Sequence, residues 1–208
     1  MGLDYPKQFL EYNEKPLFVN TLEVAQKSNV VTDIIVVTGE EFVFKVKDIC
    51  KKYEITKVKN VVIGGKERQN SIYNALKYCD RKSIIAVQDG VRPFIKEKYF
   101  EESLEALKSN LKISGIVIGV PVKDTIKIVN EEGMIVSTPV RKNVMIAQTP
   151  QVFRGEVLIS AYEKAQEEGF LGTDDSSLVE RIGEKVKVIL GDYGNIKITT
   201  IEDLKFLK

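Results

Sequence analysis

The chain has 208 residues, of which 43% are hydrophobic and 29% charged, so it has the length and composition of one globular domain. Its net charge of +1 excludes the basic field that binds nucleic acids or anionic membranes, and no apolar run approaches the roughly 20 residues of a membrane span. No histidine is present, which excludes Ser-His-Asp and Cys-His catalysis and removes the commonest zinc ligand.

Apolar runs alternate with amphipathic segments along the first part of the chain. The apolar runs predict strands at 33–38, 60–63, 84–87 and 113–122. Helical spacing of apolar residues predicts helices at 42–53, 67–79 and 97–109. This alternation predicts an α/β fold with a mostly parallel sheet, helices on both faces and right-handed crossovers. The 84–87 strand is apolar throughout, so we expect it to be buried on both faces.

The alternation breaks at Lys123. Residues 124–140 predict a β-hairpin around a turn at 130–133, because polar and apolar residues alternate on either side. A projecting hairpin has to bury its apolar side, and a second copy of the chain is the simplest partner. We therefore predict a single domain, 1–208, in which 123–146 forms an arm for dimerisation. Helices at 156–168 and 174–182, strands at 185–190 and 196–199, and a terminal helix from about 201 complete the prediction.

The isolated cysteines and the missing histidine narrow the chemistry further. Cys50 and Cys79 lie in no CxxC motif, so we predict a reducing, cytoplasmic location and no structural zinc site. Catalysis must then use carboxylates, lysines, arginines, hydroxyls and backbone amides. That inventory suits phosphoryl-type transfer, which depends mostly on positioning and charge stabilisation.

The segment 88–94 (QDGVRPF) directly follows the predicted strand 84–87. Ligands of open α/β sheets bind beyond the carboxyl ends of the strands, which is where Asp89, Gly90 and Arg92 lie. An acid and an arginine at this edge could hold a metal-bound phosphate or a ribose. The alternative is an exposed turn with an Asp–Arg pair.

A second candidate segment, 64–71 (GGKERQNS), joins a strand to a helix. Its glycines and the first backbone amides of the helix would allow an anion or a base edge to approach closely. The segment matches neither the P-loop nor the dinucleotide fingerprint. An ordinary glycine-rich turn is therefore the alternative.

Three cationic residues have both a functional and an ordinary interpretation. Lys7 stands beside the bend at Pro6 and could be a solvated lysine. Lys197 alternates with two isoleucines, so it is either a phosphate ligand facing a crevice or an edge charge that prevents aggregation. Arg141 follows the hairpin and is either a surface charge or a residue offered to a neighbouring site.

Three threonines end apolar or glycine-rich segments. Thr173 is interpreted as a helix N-cap followed by first-turn acids, and Thr149 as part of a turn with Pro150. Thr125 begins the predicted hairpin. None of these positions requires a functional explanation on its own.

Together these segments form a pattern. The blocks YPKQFL, GGKERQNS, QDGVRPF, PVKDTIK, TPVR, QTPQVF, TDDSSLVE and NIKITTIEDL resemble, in order and approximate spacing, those of 2-C-methyl-D-erythritol 4-phosphate cytidylyltransferases, from residue 1 to about 207. The resemblance implies a nucleotidyltransferase-like, Rossmann-like fold and a homodimer with embracing arms. It also implies transfer of CMP from CTP to methylerythritol phosphate, with Mg²⁺ or another divalent ion, in non-mevalonate isoprenoid synthesis.

The resemblance further implies a role for each candidate residue. Lys7 is expected to stabilise the pentacoordinate α-phosphate, and Lys197 to orient the substrate phosphate for in-line attack. Arg141 is expected to reach the substrate phosphate in the partner subunit. The implied nucleotide contacts are Gly64, Gly65, Ser71, Asp89 and Gly90. The further implied substrate contacts are Asp89, Arg92, Thr125, Thr149 and Thr173. Asp89 is also the implied ligand of a metal that is otherwise held by phosphates.

One family feature has no counterpart in this sequence. In the family, a first strand and a glycine-rich loop of the pattern LAAGxGxRM precede the YPKQ block, whereas Met1 and Gly2 stand where that loop should end. We therefore expect either a longer protein or an impaired form, because the loop amides supply much of the anion-binding site.

Several alternatives remain open on the sequence. Ribitol-5-phosphate cytidylyltransferases share the PKQFL, VRPF and QTPQ blocks, but segments 173–177 (TDDSS) and 138–141 (TPVR) favour the methylerythritol family. A sugar nucleotidyltransferase that uses another nucleotide is a third possibility. A homologue that binds without efficient turnover is the fourth.

Overall fold

The alternating apolar and amphipathic segments fold into the α/β structure that a computed structural model describes for residues 6–207. The strands are β1 (Glu11–Tyr12), β2 (Lys15–Pro16), β3 (Ile34–Thr38), β4 (Val58–Ile63), β5 (Ile84–Val87), β6 (Gly115–Pro121), β7 (Ile128–Val129), β8 (Ile135–Ser137), β9 (Met145–Arg154) and β10 (Val186–Leu190). The helices are α1 (Leu17–Lys27), α2 (Val43–Lys52), α3 (Arg68–Leu76), α4 (Lys98–Ser109), α5 (Gly155–Glu167) and α6 (Asp175–Arg181). Short 3₁₀ turns are Lys7–Phe9, Glu40–Phe42, Arg141–Asn143 and Glu202–Leu207. The expectation about Met1 and Gly2 lies outside the described residues.

The main sheet is mixed and has the order β10-β6-β9-β5, while β3 pairs with β4, β1 with β2 and β7 with β8. The β10–β6 and β3–β4 ladders are parallel, as the strand–helix alternation predicts. Strand β9 runs antiparallel to both β6 and β5, because the chain returns along it from the arm. The predicted α/β class is confirmed, but the main sheet is mixed rather than mostly parallel, because two of its three ladders are antiparallel.

The core packs helix α5 against the buried strands. Leu158, Tyr162 and Ala165 recur at helical spacing and are all at most 2% exposed, in contact with the Phe153 cluster on β9. Burying a large apolar side chain contributes about 1.5–3 kcal/mol. This packing fixes the position of β9, and with it the position of the neighbouring β5.

The predicted strand 84–87 is present as β5, but the expectation of burial on both faces is wrong. Ile84 is 36% exposed and Ala86 is also exposed. Among residues 6–207, β5 is hydrogen-bonded only to β9, so it lies at the edge of its sheet. Ile85 and Val87, which alternate with these exposed residues, pack against the core, so one face of β5 is covered and the other is open to solvent.

Two local predictions are corrected. Thr149 and Pro150 do not form a turn but lie inside the ten-residue strand β9. The β6–β9 register shifts between Val117 and Gly119, so residues 148–150 bulge opposite a single residue and the missing N–H of Pro150 breaks no ladder. The segment 196–199 is not a strand, because its backbone–backbone hydrogen bonds, a local one from Ile196 to Gly194 and one from Ile198 to Val91, do not form a ladder.

The predicted hairpin is present as β7 and β8, which pair around the turn at 130–133. Gly133 has φ +79°, a conformation that glycine adopts without strain. Apolar side chains on the arm are open: Ile128 is 50%, Ile135 is 62% and Val136 is 66% exposed. The described single chain therefore leaves the apolar side of the arm uncovered.

None of the helices within residues 6–207 combines the length and the apolar character required to cross a membrane.

Candidate active site

The candidate site is centred on the Asp89 carboxylate, immediately beyond β5. One carboxylate oxygen lies 3.1 Å from Lys197 Nζ and 3.3 Å from Arg92 Nε, and the other lies 3.6 Å from Arg68 Nε. The Asp89 side chain is only 10% exposed. Burial raises the pKa of this carboxyl, but the charges of Lys197, Arg68 and Arg92 outweigh burial and hold the pKa below its usual value. Asp89 is therefore ionised at neutral pH.

Hydrogen bonds tie three separate segments together around Asp89. The Thr149 hydroxyl, in the bulge of β9, accepts the Asp89 backbone N–H at 3.1 Å. Arg92 Nη1 donates to the Asn195 carbonyl at 2.7 Å, and Asn195 Nδ2 donates to the Thr149 carbonyl at 3.0 Å. Burial lowers the pKa of Arg92, although Asp89 partly offsets that effect. The bulge and the loop before 196 thus fix both Asp89 and Arg92.

Lys197 faces the site although its segment is not a strand. The hydrogen bond from Ile198 to the Val91 carbonyl docks the segment beside the Asp89 turn, and Ile198 is fully buried. Ile196 packs against the same apolar cluster, so Lys197 projects to the other side, onto Asp89. The interpretation of Lys197 as an edge charge is therefore wrong.

Lys7 belongs to the same electrostatic group. Burial lowers the pKa of its ammonium and so does the charge of Lys197, while Asp89 and Asp203 partly raise the pKa again. The neighbouring Phe9 is buried and packs edge-on against Phe18 on α1 at 5.8 Å, which anchors this turn. Lys7 is therefore close enough to Lys197 and Asp89 for their charges to act on it.

The 64–71 segment forms a tight entry to α3. Ser71 Oγ accepts the Gly65 N–H at 3.0 Å and donates to the Glu67 carbonyl at 3.1 Å. A Cβ on Gly65 would lie 2.4 Å from Asn70 Cβ, so this position requires glycine, whereas a Cβ on Gly64 would lie 2.9 Å from Ser71 Oγ and would displace that hydroxyl. The same helix then carries Arg68 to Asp89.

Sequence reasoning did not identify Arg68, Asp175 and Tyr162 as site residues. Arg68 Nη2 donates to the fully buried Asp175 carboxylate at 2.7 Å, and the Tyr162 hydroxyl donates to the other oxygen of Asp175. Burial lowers the pKa of Arg68, but Asp175 outweighs it, so that pKa is raised; burial and Asp175 together raise the pKa of Tyr162. Arg68 lies within the 64–71 segment, but no local pattern links it to Asp175, which is 107 residues away.

The predicted N-cap of α6 is corrected at the same place. Asp174, not Thr173, is the N-cap, because its carboxylate accepts the Ser177 N–H at 2.9 Å. Asp175 is not simply a first-turn acid at the helix surface, since it turns inward toward Arg68.

Three predicted substrate contacts form no hydrogen bond or ion pair with Asp89 among residues 6–207. Thr125, Thr173 and Arg141 are exposed, and Arg141 Nη1 donates to the Lys123 carbonyl at 3.1 Å at the base of the arm. Gly90 lies next to Asp89, and its carbonyl accepts the Thr21 hydroxyl at 3.0 Å.

The arrangement suits a polyanionic ligand. The site has four cations, Lys7, Arg68, Arg92 and Lys197, which outnumber the three carboxylates that act on them, Asp89, Asp175 and Asp203, and leave a surplus of positive charge. Residues 6–207 contain no cluster of three or more potential metal-ligating side chains. Asp89 could therefore supply one ligand to a divalent ion whose other ligands are phosphate oxygens and water, which is how Mg²⁺ is usually held.

The family model for 2-C-methyl-D-erythritol 4-phosphate cytidylyltransferase matches residues 1–207. The chain belongs to this family. The Fusobacterium nucleatum protein of that name is 49% identical across all of this chain and 90% of its own length, and the Geotalea uraniireducens protein is 46% identical across 98% and 88%.

Solved structures agree with this assignment. The 4-diphosphocytidyl-2C-methyl-D-erythritol synthase of Anaerococcus prevotii has a TM-score of 0.86 and 35% identity, covering 95% of this chain and 86% of its own. The Francisella tularensis 2-C-methyl-D-erythritol 4-phosphate cytidylyltransferase has a TM-score of 0.82 and 28% identity, covering 98% and 92%. The predicted family and the nucleotidyltransferase-like fold are confirmed.

Proposed function

We propose that this cytidylyltransferase transfers CMP from CTP to 2-C-methyl-D-erythritol 4-phosphate, giving the CDP-linked alcohol and pyrophosphate in non-mevalonate isoprenoid synthesis. The observation that carries the proposal is the Asp89 centre of a chain of this family, where Lys197 and Arg92 meet at a strand end and the charge of Asp89 also acts on Lys7. A surplus of fixed positive charge is what stabilises a transferring phosphoryl group.

The reaction needs no protein base. An oxygen of the methylerythritol phosphate attacks the α-phosphorus of CTP, a new P–O bond forms, and the bond from that phosphorus to the β-phosphate oxygen breaks as pyrophosphate leaves. The attacking phosphate oxygen is already anionic, which agrees with a chain that contains no histidine. Lys7 stabilises the charge on the α-phosphate, and Lys197 orients the incoming phosphate.

The turn at Gly64 and Gly65 is proposed to receive the cytosine. Neither glycine carries a side chain that would shield its backbone from a flat base edge, and Ser71 holds the turn in shape. Mg²⁺ or another divalent ion is proposed to bind Asp89 and the triphosphate, where it would neutralise phosphate charge.

Turnover with different substrates tests the proposed function. We expect pyrophosphate release and a CDP-linked product by mass spectrometry only with CTP and methylerythritol phosphate, and loss of activity with a chelator that added Mg²⁺ restores. Turnover of ribitol 5-phosphate would support the ribitol enzyme instead, another nucleotide would indicate a different nucleotidyltransferase, and CTP binding without product would indicate a binding homologue.

The arm supports a proposed homodimer. Ile128, Ile135 and Val136 are exposed on a hairpin that stands away from the main sheet, and a second arm would cover them. Arg141 lies at the base of this arm, and among the described residues its side chain hydrogen-bonds only to the Lys123 carbonyl. We propose that Arg141 reaches the substrate phosphate of the other subunit, with Thr125, Thr149 and Thr173 as further substrate contacts.

Mixing two inactive variants tests the role of Arg141. An Arg141→Ala protein and a Lys197→Ala protein should each be impaired, and a subunit-exchanged mixture should recover activity because some sites receive both native residues. The mass in solution should be twice that of one chain. A mixture that exchanges subunits without recovering activity would place Arg141 in its own subunit's site.

A reducing cytoplasm remains the proposed location. Cys50 and Cys79 are both free thiols in the described chain, which is consistent with that environment.

A further inference from the structure

We propose that Asp175 and Tyr162 are positioning residues that clamp Arg68, so that one guanidinium joins the buried core to the Asp89 carboxylate of the active site. The inference rests on the proposed cytidylyltransferase activity for its kinetic test. It gives a role to Arg68, Asp175 and Tyr162, which the sequence alone did not identify as site residues.

The contacts of Arg68 identify a bridge. Its Nη2 hydrogen-bonds Asp175 at 2.7 Å, whereas its Nε lies 3.6 Å from Asp89, within ion-pair range but beyond a hydrogen bond. A planar guanidinium offers separate edges to two carboxylates, which a lysine ammonium cannot do with the same geometry. Arg68 is thus bonded firmly at the core end and acts on Asp89 through charge.

Arg68 needs such an anchor. Its side chain is 40% exposed, so burial does not order it, and a long flexible side chain loses rotamer entropy when it is held in one position. Asp175 is fully buried and offers a fixed carboxylate. The anchor therefore sets the direction from which the positive charge approaches Asp89.

The anchor is itself rigid. The second oxygen of Asp175 accepts the Tyr162 hydroxyl, and Tyr162 is 2% exposed, with its ring stacked on Tyr73 at 6.5 Å. The backbone next to Asp175 is fixed by the Ser176 N–H, which donates to Gln151 Oε1 at 3.0 Å. Gln151 lies on β9, two residues from Thr149, so the clamp and the Asp89 turn are attached to the same strand.

Stability alone is a poor explanation for this arrangement. Desolvating a carboxylate is costly, and well-packed apolar side chains commonly replace buried ion pairs without loss of stability. Here the buried charge is paired with a cation that extends out of the core to the active-site carboxylate. The energetic cost of burying Asp175 is offset by a function in orienting Arg68.

Steady-state kinetics test the clamp. We expect Asp175→Asn to lower kcat by about tenfold or more, because a charge-assisted hydrogen bond is lost, with a smaller change in KM. Arg68→Lys should lose nearly as much kcat as Arg68→Gln, because lysine keeps the charge but lacks the planar guanidinium that reaches both carboxylates. Tyr162→Phe keeps the buried ring and should lower kcat by a smaller factor. This variant still tests the clamp if Asp175→Asn fails to fold.

The double variant separates positioning from general damage. If Asp175 acts through Arg68, the Arg68→Gln/Asp175→Asn protein should be no slower than Arg68→Gln alone, whereas independent effects would multiply. Arg81→Gln and Glu163→Gln are matched controls, because Arg81 makes a two-pronged pair with Glu163 at 2.8 and 3.2 Å on the protein surface. Both controls should keep the wild-type kcat.

A measurement that does not depend on turnover tests the clamp even if the proposed function is wrong. In NMR spectra, the Arg68 side-chain N–H protons should exchange slowly with solvent in the wild type and quickly in Asp175→Asn. Multiplying kinetic losses, or unchanged exchange in Asp175→Asn, would overturn the clamp. An inactive wild type would overturn the proposed function, and the exchange measurement would still decide the clamp.

Discussion

Replacing Lys197 with alanine is expected to lower kcat about a hundredfold while leaving the fold intact. Its Nζ lies 3.1 Å from Asp89 and its side chain is 36% exposed, so the substitution removes a site charge but little packing. Losing one charge-assisted contact made mainly in the transition state costs about 3 kcal/mol. Turnover with CTP and methylerythritol phosphate, with circular dichroism as a check on folding, measures the effect.

The Lys197 variant also reports on Lys7. Because the charge of Lys197 lowers the pKa of Lys7, that pKa should rise in Lys197→Ala, which NMR of the lysine side chain can follow without any turnover. Lys187→Ala, on the exposed part of β10, is the matched control and should change neither quantity. A Lys197→Ala enzyme with the wild-type rate would remove Lys197 from the mechanism.

Replacing Asp89 with asparagine is expected to lower kcat/KM at least about a hundredfold and to destabilise the fold by about 3 kcal/mol. Asparagine keeps the size of the side chain but removes the counterion that Lys197, Arg92 and Arg68 share. The buried Arg92 then keeps the Asn195 carbonyl but loses its only charged partner among the described residues, and the three cations repel one another. Kinetics and urea unfolding at neutral pH measure the two effects.

The stability difference has a predictable pH dependence. The folded-state pKa of Asp89 lies below its ordinary value of 3.8, so ionisation stabilises the folded protein above that value, and this stabilisation is lost as the pH falls through the folded-state pKa. The gap between wild type and Asp89→Asn should therefore be full at pH 7 and shrink below about pH 4. Asp33 lies on an exposed loop, so the free energy of unfolding of Asp33→Asn should match that of the wild type at each pH. A gap that persists unchanged into strong acid would refute the assigned ion pairs.

Local patterns predicted much of the fold. Helices such as α4 (98–109, predicted at 97–109) and strands such as β10 (186–190, predicted at 185–190) are set by periodicity within a few residues. Strand β9 escaped prediction because Thr149 and Pro150 look like a turn locally. Only the bulge formed with β6, a long-range contact, accommodates that proline in a strand.

The candidate site likewise contains residues that local sequence patterns predict and residues that they do not. Asp89, Arg92 and Lys197 could be predicted because each belongs to a short segment whose pattern places it at a strand end or opposite an apolar face. Arg68 and Asp175 could not, since they are 107 residues apart and acquire their roles only through their contact. The roles of Thr125, Thr173 and Arg141 rest on the family resemblance and stay predictions.

A site without imidazole has a consequence for how the enzyme senses acidity. No histidine is available to change charge between about pH 5 and 8, and Asp89 titrates below that window. A phosphate monoester, in contrast, takes up its second proton near a pKa of about 6. A fall in rate on mild acidification would therefore report the protonation of the methylerythritol phosphate: the substrate, rather than the protein, would carry the pH sensitivity of the step.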